Sequence, residues 1–402
     1  MSPEIPGSRS RSVILVHPTS ETLAKRVSSV SPGFGTILVV DTAHEASWSE
    51  LVEDLSRALL GKLGDLPAGP VTVVVGVPAG APNVVQTAAA AAVRGTVGVA
   101  ALEAASRGQR VNSILVNEST AEADLSLVLT HLADEDDAGF TAGATMDLTA
   151  QTGHWPRPAD LPVLVTGAAG GLGGAVAEAF VAAGHHMVIS DLGGQALEQQ
   201  ATRLGVTAIP CDVTSASDVA ALAAHPSLAE GLSSLQVLHG VGGSGALDAL
   251  DEGVRERSLR INGTGVWNVV DALMPAVAAG TGSVVVLASQ AGLIAEPGNG
   301  AYCAAKFAAV GLVRSLAQSA PLGVRVHTLC PGPIDTPLMR VSFAGMAEAA
   351  GITYDEYHAQ RLAVIPLGRF GSPRQMGAAA LMLSQLRATG VTLAPTGAFL
   401  LT

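Results

Sequence analysis

Residues 289–306 read "SQAGLIAEPGNGAYCAAK". Tyr302 and Lys306 stand four apart, and Ser289 precedes Tyr302 by thirteen residues. Positions i and i+4 of a helix share a face, so an ammonium is placed beside a phenol. That charge favours tyrosinate and is expected to lower the phenol pKa. Tyr302 would then be a usable general acid or base near neutral pH. Ser289 closes the apolar run "SVVVLAS" and could hold a carbonyl oxygen. Together the three groups suit proton transfer at the oxygen of a carbon that gains or loses hydride. A Tyr-x-x-x-Lys match by itself is commonly structural, so its meaning depends on what accompanies it.

Its company lies upstream. An apolar run leads into "TGAAGGLGGAVAEAF" (166–180), where Gly167, Gly171 and Gly173 have the spacing TGxxxGxG. Glycine permits a tight turn and lets the backbone approach a pyrophosphate, and the following helix offers free N–H groups to it. The next apolar run, "HHMVIS", ends at Asp191, twenty residues after Gly171. A carboxylate there can bind both ribose hydroxyls of an adenosine and would repel a 2′-phosphate. With no Arg or Lys beside it, NAD(H) is expected over NADP(H). The other reading of Asp191 is a helix N-cap.

These groups need a parallel sheet to carry them. The runs "VLVTG", "HMVIS", "LQVLHG", "SVVVLAS" and "RVHTLC" alternate with Ala-rich helical stretches. Such continuous apolar strands belong to an α/β fold with a doubly wound parallel sheet covered on both faces. The chain has 402 residues, which predicts two domains. A polar, Pro-bearing stretch, "TGHWPRPADLP", marks the boundary, giving a first domain over 1–151, a linker over 152–161 and a second domain over 162–402.

Composition narrows the function classes. The chain is 48% hydrophobic and 14% charged, as expected of a compact enzyme rather than a disordered chain. A net charge of −12 speaks against a nucleic-acid partner. No run of about 18 apolar residues and no signal peptide is found, so no membrane span is expected. Cys211, Cys303 and Cys330 lack metal spacing and read as reduced thiols of a cytoplasmic protein. The acidic run "DEDD" at 134–137 is expected to be a solvated turn rather than a metal site. His185 and His186 read as surface residues.

From about residue 160 onward these motifs jointly resemble the short-chain dehydrogenase/reductase family. The resemblance implies roles for further positions. The glycine motif runs from Thr166 and Gly167 through Gly171 and Leu172 to Gly173. Asp212 and Val213 would meet the adenine, and Gly240 and Gly242 would line the cofactor. Asn262, in "LRINGTG", would support a proton relay to Lys306, which would also hold the cofactor ribose. Pro331, Gly332, Ile334 and Thr336 of "PGPIDT" would receive the nicotinamide, with Thr336 on its carboxamide. One motif departs: "HGVG" (239–242) stands where the family has NNAG. His239 is expected to replace an Asn structurally, with a catalytic role as the alternative.

The first half repeats part of this pattern. "RGQRVNSILVN" (107–117) aligns with "LGVRVHTLCPG" (322–332) at an offset of 215, which sets Thr87 against Tyr302 and Ala91 against Lys306. "SLVLTHL" (126–132) aligns with "ALMLSQL" (380–386) at an offset of 254. The difference corresponds to the stretch after "PGPIDT", where a substrate lid is expected. The first domain therefore reads as a truncated, degenerate, non-catalytic Rossmann- or flavodoxin-like copy; a chance likeness of two α/β domains is the other reading. This arrangement resembles the high-molecular-weight type of 3-oxoacyl-[acyl-carrier-protein] reductase. It implies an NADH-dependent ketoreductase acting on a 3-oxoacyl thioester, an acyl carrier protein as possible partner, and a homodimer. The lid residues Met339, Phe343, Met346, Tyr354 and Tyr357 would suit an apolar chain or a ring. Arg340 and Arg361 could meet a phosphopantetheine or be plain surface. A polyketide or other secondary-metabolite ketone, alcohol oxidation, and a non-enzymatic cofactor-binding scaffold are the alternatives.

Overall fold

The structure is a computed structural model that describes residues 11–15, 21–30, 35–43, 47, 53, 55–64, 69–80, 83–151, 160–245 and 250–400. Most of the expected linker, 152–159, lies outside the described residues. Two parallel sheets account for the strands among the described residues. The larger holds β6 (Val163–Thr166), β7 (Met187–Asp191), β8 (Thr207–Pro210), β9 (Ser234–Val237), β10 (Ser283–Leu287), β11 (Arg325–Leu329) and β12 (Thr392–Leu393). Their order is β12-β11-β10-β9-β6-β7-β8. The chain thus reverses direction between β6 and β9, and a crevice opens at the carboxyl ends of these strands. The strands at its centre are buried on both faces, as the unbroken apolar runs demand.

The smaller sheet holds β1 (Arg11–Leu15), β2 (Gly35–Asp41), β3 (Val71–Gly76), β4 (Val111–Val116) and β5 (Thr145–Asp147), in sequence order. That order is the half β6-β9-β10-β11-β12 of the larger sheet, without counterparts of β7 and β8. The helix Val84–Ala105 occupies the place of Gly300–Ser319 at the offset read from the sequence. Thr87 and Ala91 are partly or fully exposed there, and no Tyr–Lys pair is formed. Among the described residues the first domain is a smaller parallel α/β sheet of Rossmann-like strand order, without the reversal that opens the crevice of the larger sheet. Helix Val84–Ala105 is long and apolar enough by composition to cross a membrane, yet Val93, Val97 and Ala101 on one side are buried against the sheet.

The two sheets meet edge to edge. β5 lies beside β12, and the helix Glu122–Ala133 packs beside Pro373–Gln385. One apolar core runs through the junction, from Leu125 and Leu129 through Phe140 to Met376, Leu383 and Phe180. The acidic run at 134–137 is partly solvated, as expected, but it is not a turn. It forms a short helix, Glu135–Ala138, capped by Asp134. Glu135 binds the buried Arg110 (2.9 Å) and, from the second domain, Arg369 (2.6 Å), while Asp137 pairs with Arg374 (3.1 Å). Burial pushes the Arg110 pKa down, and Glu135 opposes that shift.

Asp124 is a buried polar clamp at this junction. Its side chain, 1% exposed, accepts from the backbone N–H of Arg387 (2.9 Å) and of Ala388 (2.8 Å), just ahead of β12. Its place in the first helical turn also favours the negative charge. Removing the carboxylate would strand two N–H groups that water does not reach. Asp124→Ala is expected to cost about 3 kcal/mol of unfolding free energy, and Asp124→Asn clearly less. Urea unfolding of the full chain checks this; an Asp124→Ala midpoint equal to wild type would contradict it.

Candidate active site

The carboxyl ends of β6, β7, β9, β10 and β11 open into one cleft of about 1010 Å³. At its floor the chain turns from β6 into the helix Gly171–Ala182. Gly167 has φ +72°, and a Cβ there would lie 2.6 Å from the backbone of His239. A Cβ on Gly173 would lie 2.1 Å from Gly167 O. Only glycine lets this loop lie against both the helix and the end of β9, and the result is a backbone cradle at a helix N-terminus. Asp191, at the end of β7, is fixed beside it by accepting from Ala169 N (2.9 Å) and Leu192 N (2.7 Å). Asp212 and Val213 line the cleft further out, and Asp212 itself holds the turn by accepting from Thr214. The cradle, the carboxylate and the open floor fit the pyrophosphate and ribose of a dinucleotide.

Ser289, Tyr302 and Lys306 converge on the other side. Ser289 follows β10, and its hydroxyl accepts from Ala291 N (3.2 Å). The Ser289 and Tyr302 side chains are hydrogen-bonded. Lys306 is 1% exposed; its ammonium donates to Leu287 O (2.9 Å) and sits 5.5 Å from the centre of the Tyr302 ring. The expected lowering of the phenol pKa is not what this arrangement gives. Burial pushes Tyr302 up to about 12, against the opposing effect of Ser289. Burial also lowers Lys306 to about 8. Desolvation is the largest cause of both shifts, and the phenol keeps its proton.

Most of the residues read from the sequence line this cleft: Gly167, Gly171, Leu172, Gly173, Asp191, Asp212, Val213, Gly240, Gly242, Ser289, Tyr302, Lys306, Pro331, Gly332, Ile334 and Thr336. Two do not. Thr166 is buried beneath the loop, where its hydroxyl meets His239 Nδ1 (2.9 Å) and accepts from Leu238 N (3.3 Å). Asn262 is fully buried in a π-helical turn, Arg260–Thr264. Its amide accepts from Val241 N (3.1 Å) and donates to Val241 O (2.9 Å) and Ser258 O (3.0 Å). It holds the wall behind Gly240 rather than facing the cleft. His239 ties the ends of β6 and β9 together, the structural part expected of it. Burial and the Lys306 charge lower its pKa to about 3, so it is neutral at physiological pH.

The stretch after β11 forms the helices Pro337–Ala350 and Tyr354–Ala363 over the cleft mouth. Met339, Phe343, Met346 and Tyr357 line the cleft, whereas Tyr354 turns to His358. Arg340 pairs with exposed Asp335 (2.8 Å), while Arg361 reaches the cleft over Phe399 (5.7 Å). Thr336 lines the cleft and also caps the first lid helix, accepting from Met339 N (3.2 Å). Sequence reading missed Glu296. It accepts from Gln290 Nε2 (2.6 Å) and Asn299 Nδ2 (2.9 Å), and Asn299 is joined through Ser244 to Ser342 on the lid. Its only signal was a carboxylate within the loop between Ser289 and Tyr302.

Comparison with known proteins bears on the second domain. Residues 167–395 match the family model described as Enoyl-(Acyl carrier protein) reductase. The 2-(S)-hydroxypropyl-CoM dehydrogenase 3 of Xanthobacter autotrophicus is 32% identical over 238 residues, 57% of this chain and 91% of that protein. The L-fucose dehydrogenase of Oryctolagus cuniculus is 34% identical over 253 residues, covering 60% and 85%. Among solved structures, an actinorhodin polyketide ketoreductase with NADPH aligns with a TM-score of 0.56 at 25% identity, covering 59% of this chain and 96% of that one. The aldohexose dehydrogenase of Thermoplasma acidophilum aligns at 0.53 and 27% identity, covering 60% and 94%. Glycine cradle, Ser–Tyr–Lys cleft and these likenesses agree: the chain belongs to the short-chain dehydrogenase/reductase family, as an oxidoreductase of carbonyl or alcohol substrates that uses a nicotinamide cofactor.

Proposed function

We propose that this protein is an NAD(H)-dependent ketoreductase whose substrate is a 3-oxoacyl thioester. The observation that carries the reading is the hydrogen-bonded Ser289–Tyr302 pair, backed by buried Lys306, in the same cleft as the glycine cradle and Asp191. When bound, the nicotinamide supplies hydride to the carbonyl carbon. Ser289 holds the carbonyl oxygen, and Tyr302 donates its proton there as charge develops. A phenol pKa near 12 suits a donor, since the proton is present throughout the working pH range. Lys306 supports that donation with its charge and holds the cofactor ribose. The lid side chains Met339, Phe343 and Met346 would cover an acyl chain and exclude water. A second reading, a cyclic or polyketide ketone, is favoured by the aromatic group at the lid, where Phe343 stands edge-on to Tyr357 (5.3 Å) and Phe370 (5.8 Å).

Absorbance at 340 nm with acetoacetyl-CoA and NADH tests the reading directly. Turnover is expected, and Tyr302→Phe should lower kcat by about a thousandfold while NADH still binds. Turnover with a cyclic ketone alone would move the assignment to the second reading, and a Tyr302→Phe variant of unchanged kcat would refute the chemistry.

The cofactor preference is tested at Asp191. Its carboxylate would accept from two ribose hydroxyls and repel a 2′-phosphate. Asp191→Ala should lower the ratio of kcat/KM for NADH over NADPH by about a hundredfold. A wild type that prefers NADPH would overturn the NAD(H) reading.

The Lys306 pKa sets a pH dependence. The group is an ammonium below about pH 8 in the free protein and neutral above it. The kcat/KM for reduction should therefore be level below that pH and fall as pH rises through it. Lys306→Arg, which keeps its charge, should remove the fall at the expense of rate. A profile that is flat across this range in wild type would contradict the role given to Lys306.

A further inference from the structure

Phe140 belongs to the first domain, yet its ring is buried in the second, 1% exposed. Glycines shape the socket. A Cβ on Gly371 would lie 2.5 Å from Phe140 Cδ1, one on Gly397 would lie 2.6 Å from Cε2, and one on Gly332 would lie 3.5 Å from Cε1. Any larger residue at the first two positions would collide with the ring. The socket is therefore fitted to this side chain, and a generic apolar contact between domains would not require it.

What the socket touches gives it meaning. Gly332 lies in the 331–336 loop, whose residues form one wall of the cleft. The loop is braced from behind: Gly371 N donates to Pro333 O (3.1 Å), Asp335 N donates to Gly371 O (3.0 Å), and Gly332 N donates to Pro395 O (3.0 Å). The bracing segments are in turn held by the first domain. Gly397 N donates to Phe140 O (2.9 Å) and Ala398 N to Ala142 O (3.1 Å). Arg369, two residues before Gly371, donates to both Glu135 and Gly139 O. The ring and its neighbouring carbonyls thus contact both segments that hold the loop, while Phe140 itself does not line the cleft.

We propose that Phe140 is a positioning residue: the first domain sets, through this ring, the place of the 331–336 loop, and so how firmly the second domain grips the nicotinamide end of its cofactor. This rests on the reading that the loop receives nicotinamide. The first domain is then a working part of the active site. It acts there as a fixed backing for one wall and contributes no reacting group.

The test compares two ligands that share one end. ADP-ribose carries the adenosine and pyrophosphate of NADH without the nicotinamide. Dissociation constants of both are measured by calorimetry for the full-length wild type, Phe140→Leu and Phe140→Ala, beside kcat with the best ketone substrate. Phe140→Ala should weaken NADH by about tenfold and leave ADP-ribose within about twofold, with Phe140→Leu recovering most of the loss. If Phe140→Ala does not fold, Phe140→Leu and Phe140→Met must still lower NADH affinity selectively. An equal loss for both ligands would mean general loosening of the fold, and no loss of NADH affinity would mean that the ring does not set the loop; either overturns the proposal. A wild type that binds NADH no more tightly than ADP-ribose refutes the nicotinamide reading itself, an outcome visible before any variant is made.

Discussion

An ammonium held in a dry interior is the constraint around which the second domain is arranged. Lys306 is buried among apolar strands, and removing a charge from water is costly unless donors and acceptors replace it. The Leu287 carbonyl accepts one of its protons and the Tyr302 ring stands beside it. Those neighbours do not restore what water gave, and the Lys306 pKa falls to about 8. Tyr302 suffers the opposite displacement for the same reason. The pair is thus poised with both protons in place, which is the state a proton donor needs. For this to hold, the end of β10 must deliver a carbonyl to Lys306 and a hydroxyl, Ser289, to Tyr302 within three residues. The helix Gly300–Ser319 must also present one face to that strand end, as the spacing of four provides.

Much of this was legible because chemistry fixed the spacing. The glycine loop, Asp191 and the Ser–Tyr–Lys set each require one residue type at one place, so their order along the chain reveals the fold. The apolar runs "VLVTG", "HMVIS", "LQVLHG", "SVVVLAS" and "RVHTLC" mark β6, β7, β9, β10 and β11. β8, β12 and β5 escaped notice. β8, "TAIP", is an edge strand with only one buried residue, and β12 and β5 have two and three residues. None offers an apolar run. The sign of the Tyr302 shift was misread for a different reason: spacing places a charge beside the phenol but carries no information on how far both are removed from water. The pairing of the acidic run 134–137 was missed because its partners, Arg110, Arg369 and Arg374, are distant in sequence. Glu296 went unseen because nothing in the sequence says which loop residues turn inward.

The likeness between the halves explains which part of the first domain has kept its detail. The polar contacts described above between its residues and the second domain come from one stretch, between Asp124 and Gln151. There a buried carboxylate holds the backbone before β12, a carboxylate pairs with Arg369, and an aromatic ring fills a glycine socket. The counterparts of β7 and β8 would lie at the far edge of the smaller sheet, away from this junction, and they are the strands it lacks.

A short edge strand is a weak point, because its unpaired backbone groups invite other partners. β12 pairs with β11 through two residues only, yet the segment after it backs the cleft wall, where Gly332 N donates to Pro395 O and Phe399 lines the cleft. In the second domain taken alone, the backbone before β12 would lose the Asp124 acceptor and the 396–398 segment would lose the Phe140 and Ala142 carbonyls. Those losses fall next to the 331–336 loop, whereas the glycine cradle is built on β6 and β9 at the centre of the sheet and reaches the first domain through the packing of Gly171–Ala182 on Pro373–Gln385. The two halves of the cofactor site are therefore held differently: the cradle first by the close packing of glycine against His239 inside its own domain, and the loop by segments that the first domain braces.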